Sequence, residues 1–530
     1  MRPASRFLLL ALAVVGCRSK NDDTAAAESP EAPPAAVVLT PNDGMPVVPV
    51  DKNRKPEVDL EGTYVAPGPR TGDHYALRFE TRIYAEANGS SARVGQLRAG
   101  SGVLARGKVV QGPGCEGGFV PVQPYGFVCK ADLTTDAGHP FVASLGTHPP
   151  DASQKLPYMY GTVKRGGPAY THLPTAEEIA TNEPNLRTHL AKWSKDEESG
   201  ATYALDLWLR GKDVQKTPPA LEALEQKVSD PLPTFLAGGA FLPNPTLKPR
   251  TKGSAVAGEV SFRNGVAFLD TFLHEGRRWG VSSELEVLPV DRFRPIKGSD
   301  AHGVRIGEGG VQLPFGLVRQ EGRKFKKIEK GQVRDGAEMP YRAALELTGK
   351  QQFFDGVLHY ETKDGLWADD RSVSRIDLAK KMPGWATAGE KWLDVNITKQ
   401  VIVAYEGVKP VYAALVSTGE AGLADPQTTK ATTRGIFRIH TKYRTATMAS
   451  KVSGEEFELR DVPYVQYFEN GYALHAAYWH DKFGMPKSHG CINLAPEDAR
   501  RIFFWTEPQV PTTWHGAALA NKGTVLFVHQ

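Results

Sequence analysis

Apolar and polar residues alternate in short runs along most of this chain. From Tyr75 to Leu133, the runs Ala76-Leu77-Arg78-Phe79, Ser101 to Ala105 and Gly118 to Val122 are separated by Gly, Asn and Ser. This pattern predicts a small all-β unit of short strands and tight turns. Its ending, Tyr125 to Leu133, is echoed at Trp279 to Leu285 and at Gly365 to Asp370, and Leu156 to Lys164 echoes Leu313 to Arg319. Further small β units are therefore expected within residues 150–385. Two helices are expected among them. One is opened by the capping-box spacing Thr175 to Glu178 and interrupted by Pro184; the other, Pro219 to Val228, carries Leu221, Leu224 and Val228 on one stripe.

At Trp392 the texture changes. Trp392 to Ile397 alternates, Gln400 to Gly407 is a strand running into a turn, and Val411 to Ser417 returns, which predicts a β-hairpin. More β follows at Gly435 to His440 and Val462 to Phe468. Ala495 to Trp505 reads as a helix with Pro496 near its start and Glu497 and Asp498 in its first turn, and Thr524 to Val528 as a closing strand. Residues 390–530 thus form a mostly β domain.

The N-terminus departs from both patterns. Arg2 and Arg6 precede an apolar stretch, Phe7 to Val15, that is too short to span a bilayer, as in an export signal. It ends in Val14-Val15-Gly16-Cys17, which resembles the bacterial lipobox. The resemblance implies a lipidated Cys17 and a membrane anchor, a plain signal peptide being the alternative. Residues 18–61, rich in Ala, Pro, Asp and Val, read as an extended tether.

Composition narrows the partners. With 64 basic and 60 acidic residues in 530, and no long basic run, nucleic acid is not an expected partner. The histidines His172, His189, His274 and His359 lack neighbours at metal-ligand spacing, so neither metal nor other cofactor is expected. There are four cysteines. Cys17 is taken by the lipobox; Cys115 and Cys129 are either a disulfide in an oxidising envelope or two buried thiols; Cys491 is the candidate reactive thiol.

Cys491 lies in Ser488-His489-Gly490-Cys491-Ile492-Asn493-Leu494, and Ala473-Leu474-His475 is separated from Ser488 by twelve residues. A thiol at its ordinary pKa is mostly protonated at neutral pH and needs an imidazole to take its proton. His475, His480 and His489 compete for that role. Gly490 lets backbone approach a substrate, and the N–H groups of Gly490 and Cys491 are candidate oxyanion donors.

Both halves of this signature, in register, resemble the catalytic domain of the L,D-transpeptidases, the YkuD-type family that cross-links bacterial cell walls. The hairpin from Trp392 to Gly419 is similar to that family's first strands. Thr432-Thr433-Arg434-Gly435-Ile436-Phe437 resembles its Thr-Pro-x-Gly-x-Phe segment, with Thr433 where proline is usual. The tail of the first β unit likewise resembles bacterial SH3-like domains, companions of cell-wall enzymes. The class expected is mainly β and multidomain: SH3-like barrels at 75–135 and within 150–385, followed by a YkuD-type domain at 390–530.

The resemblance implies Cys491 as nucleophile, His475 as its base, and the Ala476 carbonyl as the group orienting that ring, alanine standing where the family usually has glycine. Ser488, His489 and Asn493 are expected around the loop or the substrate, and Tyr464, Tyr478 and Trp479 either line the cleft or are core aromatics. The implied reaction is acyl transfer from a peptidoglycan stem tetrapeptide to a second stem peptide, a wall-attached protein or water. The implied location is the cell envelope: periplasmic and lipid-anchored, with Arg18 after the cysteine favouring the outer membrane. A catalytically inactive peptidoglycan-binding lipoprotein and a cysteine peptidase are the alternatives.

Overall fold

The computed structural model describes residues 72–146, 150–195, 229–239, 242–244, 246–379, 381–450, 456–519 and 522–530. The expected signal, Cys17, the tether and the helix at 219–228 lie outside them. The protein is mainly β, with few helices and several sheets. Among the described residues no helix is long and apolar enough to cross a membrane.

Among the described residues ahead of residue 380 one local form recurs three times. An opening strand pairs antiparallel with a closing one: His74–Ala76 with Leu133–Thr134, Met159–Val163 with Phe293–Ile296, and Phe315–Val318 with Val373–Ile376. A short strand precedes each closing strand: Phe127–Cys129, Val287–Pro289 and Trp367–Asp369. The echo between Leu156 to Lys164 and Leu313 to Arg319 marks two opening strands. Gly365 to Asp370 marks a penultimate strand, whereas Trp279 to Leu285 falls one strand early. The strand Arg277–Ser282 pairs with Val287–Pro289, which is the true counterpart of Phe127–Cys129. Period-two alternation is the same in two adjacent strands of a hairpin, so the pattern alone does not separate them. In the first unit Cys115 and Cys129 are joined by a disulfide.

Thr175 caps the helix Ala176–Asn182. Its side chain accepts the Glu178 N–H, and the Glu178 carboxylate accepts the Thr175 N–H in return. Pro184 separates this helix from a second, Leu186–Trp193, because proline has no N–H to continue the ladder. Between them Glu183 turns inward, where it accepts two N–H groups of Arg277, one of Arg292 and the Tyr170 hydroxyl. His189 joins this buried cluster through Asp291 at 2.7 Å. Such pairing is the condition for burying so many charges.

Among its described residues the C-terminal domain has ten strands: β1 Lys391–Asn396, β2 Val401–Glu406, β3 Lys409–Ser417, β4 Gly435–Arg438, β5 Thr441–Ser450, β6 Phe457–Glu469, β7 Tyr472–Ala476, β8 Ile492–Leu494, β9 Gly516–Ala518 and β10 Val525–His529. Val401 to Tyr405 is an unbroken apolar run buried on both faces, which places β2 between β1 and β3. β10 lies parallel to β1 and carries β4 on its other side. The end of β3 crosses to a second sheet, pairing with β8; β8 is parallel to β7, and β6, β5 and β9 follow antiparallel. The helix Pro496–Trp505 begins at its proline and buries Ala499, Ile502 and Phe503, spaced for one face. Those residues share a core with Leu393, Val395, Tyr412 and Ala414 of the first sheet and Leu474, Ala476, Ile492 and Leu494 of the second.

The upstream units are built onto this domain. β9 pairs with the first unit's strand Arg93–Leu97 at Gly95 and Gln96, so one sheet runs from that unit into the C-terminal domain. Trp514 seals the join, its indole N–H donating to the Gln123 carbonyl at 3.0 Å.

Candidate active site

β7 and β8 lie side by side in parallel, with Leu474 opposite Ile492 and His475 opposite Asn493. Cys491 is the residue before β8, and the Ala473 N–H donates to its sulfur. The thiol itself points to the Gly471 carbonyl at 3.8 Å. Two residues distant in sequence thus sit on neighbouring strands, and the parallel register fixes their spacing.

His475 is buried, at 2% exposure. Its Nδ1 lies 3.2 Å from the Ala476 carbonyl, which holds a proton on that nitrogen and leaves Nε2 as the acceptor. Burial pushes the imidazole down to about 4 against the opposing pull of that carbonyl. Burial likewise pushes the Cys491 thiol up to about 11, with the Ala473 N–H acting the other way. Both shifts favour the uncharged form of each group at neutral pH.

The loop before Cys491 is clamped from three sides. The Lys487 and Ser488 N–H groups donate to the Thr418 carbonyl, and the Glu420 N–H donates to the Ser488 carbonyl. Thr432 accepts the Gly419 N–H at 2.8 Å and donates to the Gly490 carbonyl at 2.7 Å. Ser488 donates to the Cys491 carbonyl and accepts the Gly490 N–H at 3.1 Å. That bond commits one of the two amides expected as oxyanion donors. Gly490 itself has φ +127°, and a Cβ there would meet the Tyr472 ring at 2.8 Å.

The other expected residues separate. Trp479 is half-buried against His475, ring centroids 5.7 Å apart. His489 is exposed, 5.4 Å from the Phe457 ring. Of the two readings of Tyr464 the structure gives the core one, not the cleft: it is fully buried, packs on Phe503 and Phe504, and donates to the Gln154 carbonyl at 2.6 Å. It shares the helix face of β6 with Gln466 and Phe468, two and four residues further on, as period-two alternation requires. Thr432, Thr418 and Tyr472 were not expected as site residues. The Thr432 segment was visible as a motif, but its contact with residue 490 depends on chain crossing.

Among the described residues no group of three or more His, Cys, Asp or Glu is placed to hold a metal ion. A polar cleft of about 630 Å³ lies between Gly166, Glu177, Arg250, Lys252 and Arg292, and none of its lining residues belongs to the C-terminal domain.

Residues 390–524 match the model of the YkuD family, the L,D-transpeptidase catalytic domain. Among solved structures, an Enterococcus faecium L,D-transpeptidase mutant is 20% identical over 26% of this chain and 50% of its own, TM-score 0.20. The matched region thus spans half the length of that protein. The catalytic domain of the E. faecium enzyme is 22% identical over 27% of this chain and 98% of its own, TM-score 0.21. The L,D-transpeptidase from Mycobacterium smegmatis is 16% identical over 41% and 99%, TM-score 0.21. No curated protein matches the chain.

Proposed function

With residues 390–524 matching a YkuD L,D-transpeptidase catalytic domain, we propose that this protein is a peptidoglycan acyltransferase of the cell envelope. The observation that carries the reading is the placing of His475 on β7 and of Cys491 immediately before β8, its parallel neighbour, with burial disfavouring charge on both side chains. Cys491 attacks the carbonyl of diaminopimelate in a stem tetrapeptide while His475 Nε2 takes the thiol proton. The C–N bond to terminal D-alanine breaks, D-alanine leaves with that proton, and a thioester remains. An amine of a second stem peptide or of a protein then attacks the thioester, returns its proton through His475 and releases the thiol. The Ala476 carbonyl steadies the imidazolium formed in between. The Cys491 N–H serves the tetrahedral oxygen, since that of Gly490 is engaged by Ser488.

The upstream β units are read as SH3-like modules, and Cys17 as the lipid anchor that holds the enzyme at a membrane facing the wall. The test is mass spectrometry of muropeptide tetrapeptides incubated with the protein. Dimers or exchange of terminal D-alanine support transfer, and tripeptide alone makes it a carboxypeptidase. A product pattern identical to that of Cys491→Ala overturns the enzymatic reading and leaves a binding lipoprotein.

A further inference from the structure

His480 stands outside the histidine-to-cysteine spacing, yet it lies against Asn493 and close enough to His475 to feel its charge. Its Nδ1 accepts the Lys482 backbone N–H at 3.1 Å. An imidazole nitrogen that accepts carries no proton, so the neutral ring keeps its proton on Nε2. Burial and the neighbouring His475 push this ring down to about 4, which keeps it neutral at physiological pH. Nε2 faces the Asn493 carboxamide, 2.9 Å from Nδ2. Two donors would then oppose each other. At the other end of the same group, Asn493 Oδ1 is a buried acceptor with no hydrogen-bond partner among the described residues. Half a turn of the carboxamide, whose oxygen and nitrogen have nearly the same shape, removes both conflicts.

We propose that His480 is a positioning residue: its Nε2–H donates to Asn493 Oδ1 and so turns the Asn493 NH2 group to the position of the present orphan. Asn493 is 2% exposed and lies directly opposite His475 in the parallel pairing, so the two side chains share a face. The buried, unpaired NH2 is a donor held in reserve for the negative charge that develops when the acyl group is attacked. The kinetic consequence rests on the proposed acyl transfer; the tautomer and the amide orientation do not.

The test has two arms. In the full chain with ¹⁵N-labelled histidine, His480 being assigned by the signals lost in His480→Gln, the expected signature at pH 7 is a protonated Nε2 and a bare Nδ1. A proton on Nδ1, or a charged ring, overturns the proposal. With muropeptide tetrapeptide as substrate, His480→Phe is expected to lower kcat about 100-fold at unchanged KM, the scale of a lost or misaimed donor. His480→Gln, whose side-chain NH2 can donate to the same oxygen, is expected to recover most of that loss. Wild-type kcat in the Phe variant, or equal losses in both, overturns it. If the unaltered protein does not turn over muropeptide, the proposed function falls, and the tautomer still decides this inference.

Discussion

Arg98 and Asp461 stand 363 residues apart and meet in a two-pronged ion pair, at 2.5 and 2.9 Å, with the carboxylate 2% exposed. Asp461 also accepts the Thr445 hydroxyl, and its backbone carbonyl accepts the Tyr160 hydroxyl, each at 2.6 Å. Tyr160 stacks on Tyr478, whose hydroxyl reaches the Arg460 carbonyl. Tyr478 adjoins Trp479, which packs on His475. The upstream units thus grip β6 and, through two aromatic rings, brace the strand that carries the histidine.

Removing Arg98 leaves a buried, unpaired carboxylate. Arg98→Ala is expected to cost about 3–5 kcal/mol of stability at pH 7. Burial raises the Asp461 pKa, and Arg98 together with the hydrogen bonds to the carboxylate outweighs it, for a net depression. The stability it contributes is therefore present above the ordinary carboxylate pKa and lost as pH falls through the lowered one. Urea unfolding at pH 7 and pH 3 checks both signs; an Arg98→Ala penalty that is larger at pH 3 would contradict the assignment.

Burial disfavours charge on the resting thiol and imidazole, so alkylation of Cys491 by iodoacetamide should quicken steadily from pH 6 toward the thiol value of about 11. A rate already level below pH 7 would mean a preformed thiolate and imidazolium, and would refute the neutral pair.

Thr432 links two backbone groups that the sequence places far apart. Thr432→Val keeps the shape and strands the Gly419 N–H and the Gly490 carbonyl, a loss of about 1–3 kcal/mol concentrated at the loop. Faster hydrogen exchange at Gly419, with kcat reduced, is the expected result. Unchanged exchange would show that the bridge does not hold the loop.

Gly490 has neither the space nor the backbone angle for a side chain. Gly490→Ala is expected to destabilise by about 1–3 kcal/mol through the left-handed backbone alone. The contact with Tyr472 adds to this, so Tyr472→Ala in the same chain should restore only part of the activity and melting temperature. Full restoration would place the whole cost in the contact.

Asp498 is buried and pushed up to about 6, with the Tyr412 hydroxyl and Gly303 N–H on its Oδ1 working against burial. A carboxyl whose folded pKa is raised binds its proton more tightly when folded, so stability falls as pH rises between about 4 and 6 and stays lower above. Asp498→Asn keeps an oxygen for both donors and removes the ionisation cost. It should melt higher than the unaltered protein at pH 8 by up to about 3 kcal/mol of stability, and show no gain at pH 4. A variant less stable at pH 8 would contradict this.

Much of the fold was legible in the chain. The strands around Trp392, Val401 and Val411, the capped helix at Thr175 and the proline-started helix at Pro496 follow from alternation and end signals, which are local. The sequence left Tyr464 open between cleft and core, because an aromatic at an inward strand position suits either, and only the packing of Phe503 and Phe504 on it decides for the core. The echo at Trp279 was placed one strand early because neighbouring strands share a period. His480 was passed over because spacing ranks histidines by distance along the chain, whereas a parallel strand pair ranks them by distance in space.

By itself the sequence determined which residue types the site holds: one thiol left over from the other cysteines, histidines upstream of it, and a glycine to let the backbone pass. Local chemistry suffices for that, since turn, cap and nucleophile each need a particular side chain at a particular place. The tertiary structure alone decided that burial disfavours charge on the thiol and the imidazole, that Ser488 occupies the Gly490 amide, and that units hundreds of residues upstream brace the strand that carries His475. Those are properties of burial and of crossing chains, and burial is set by every part of the fold at once.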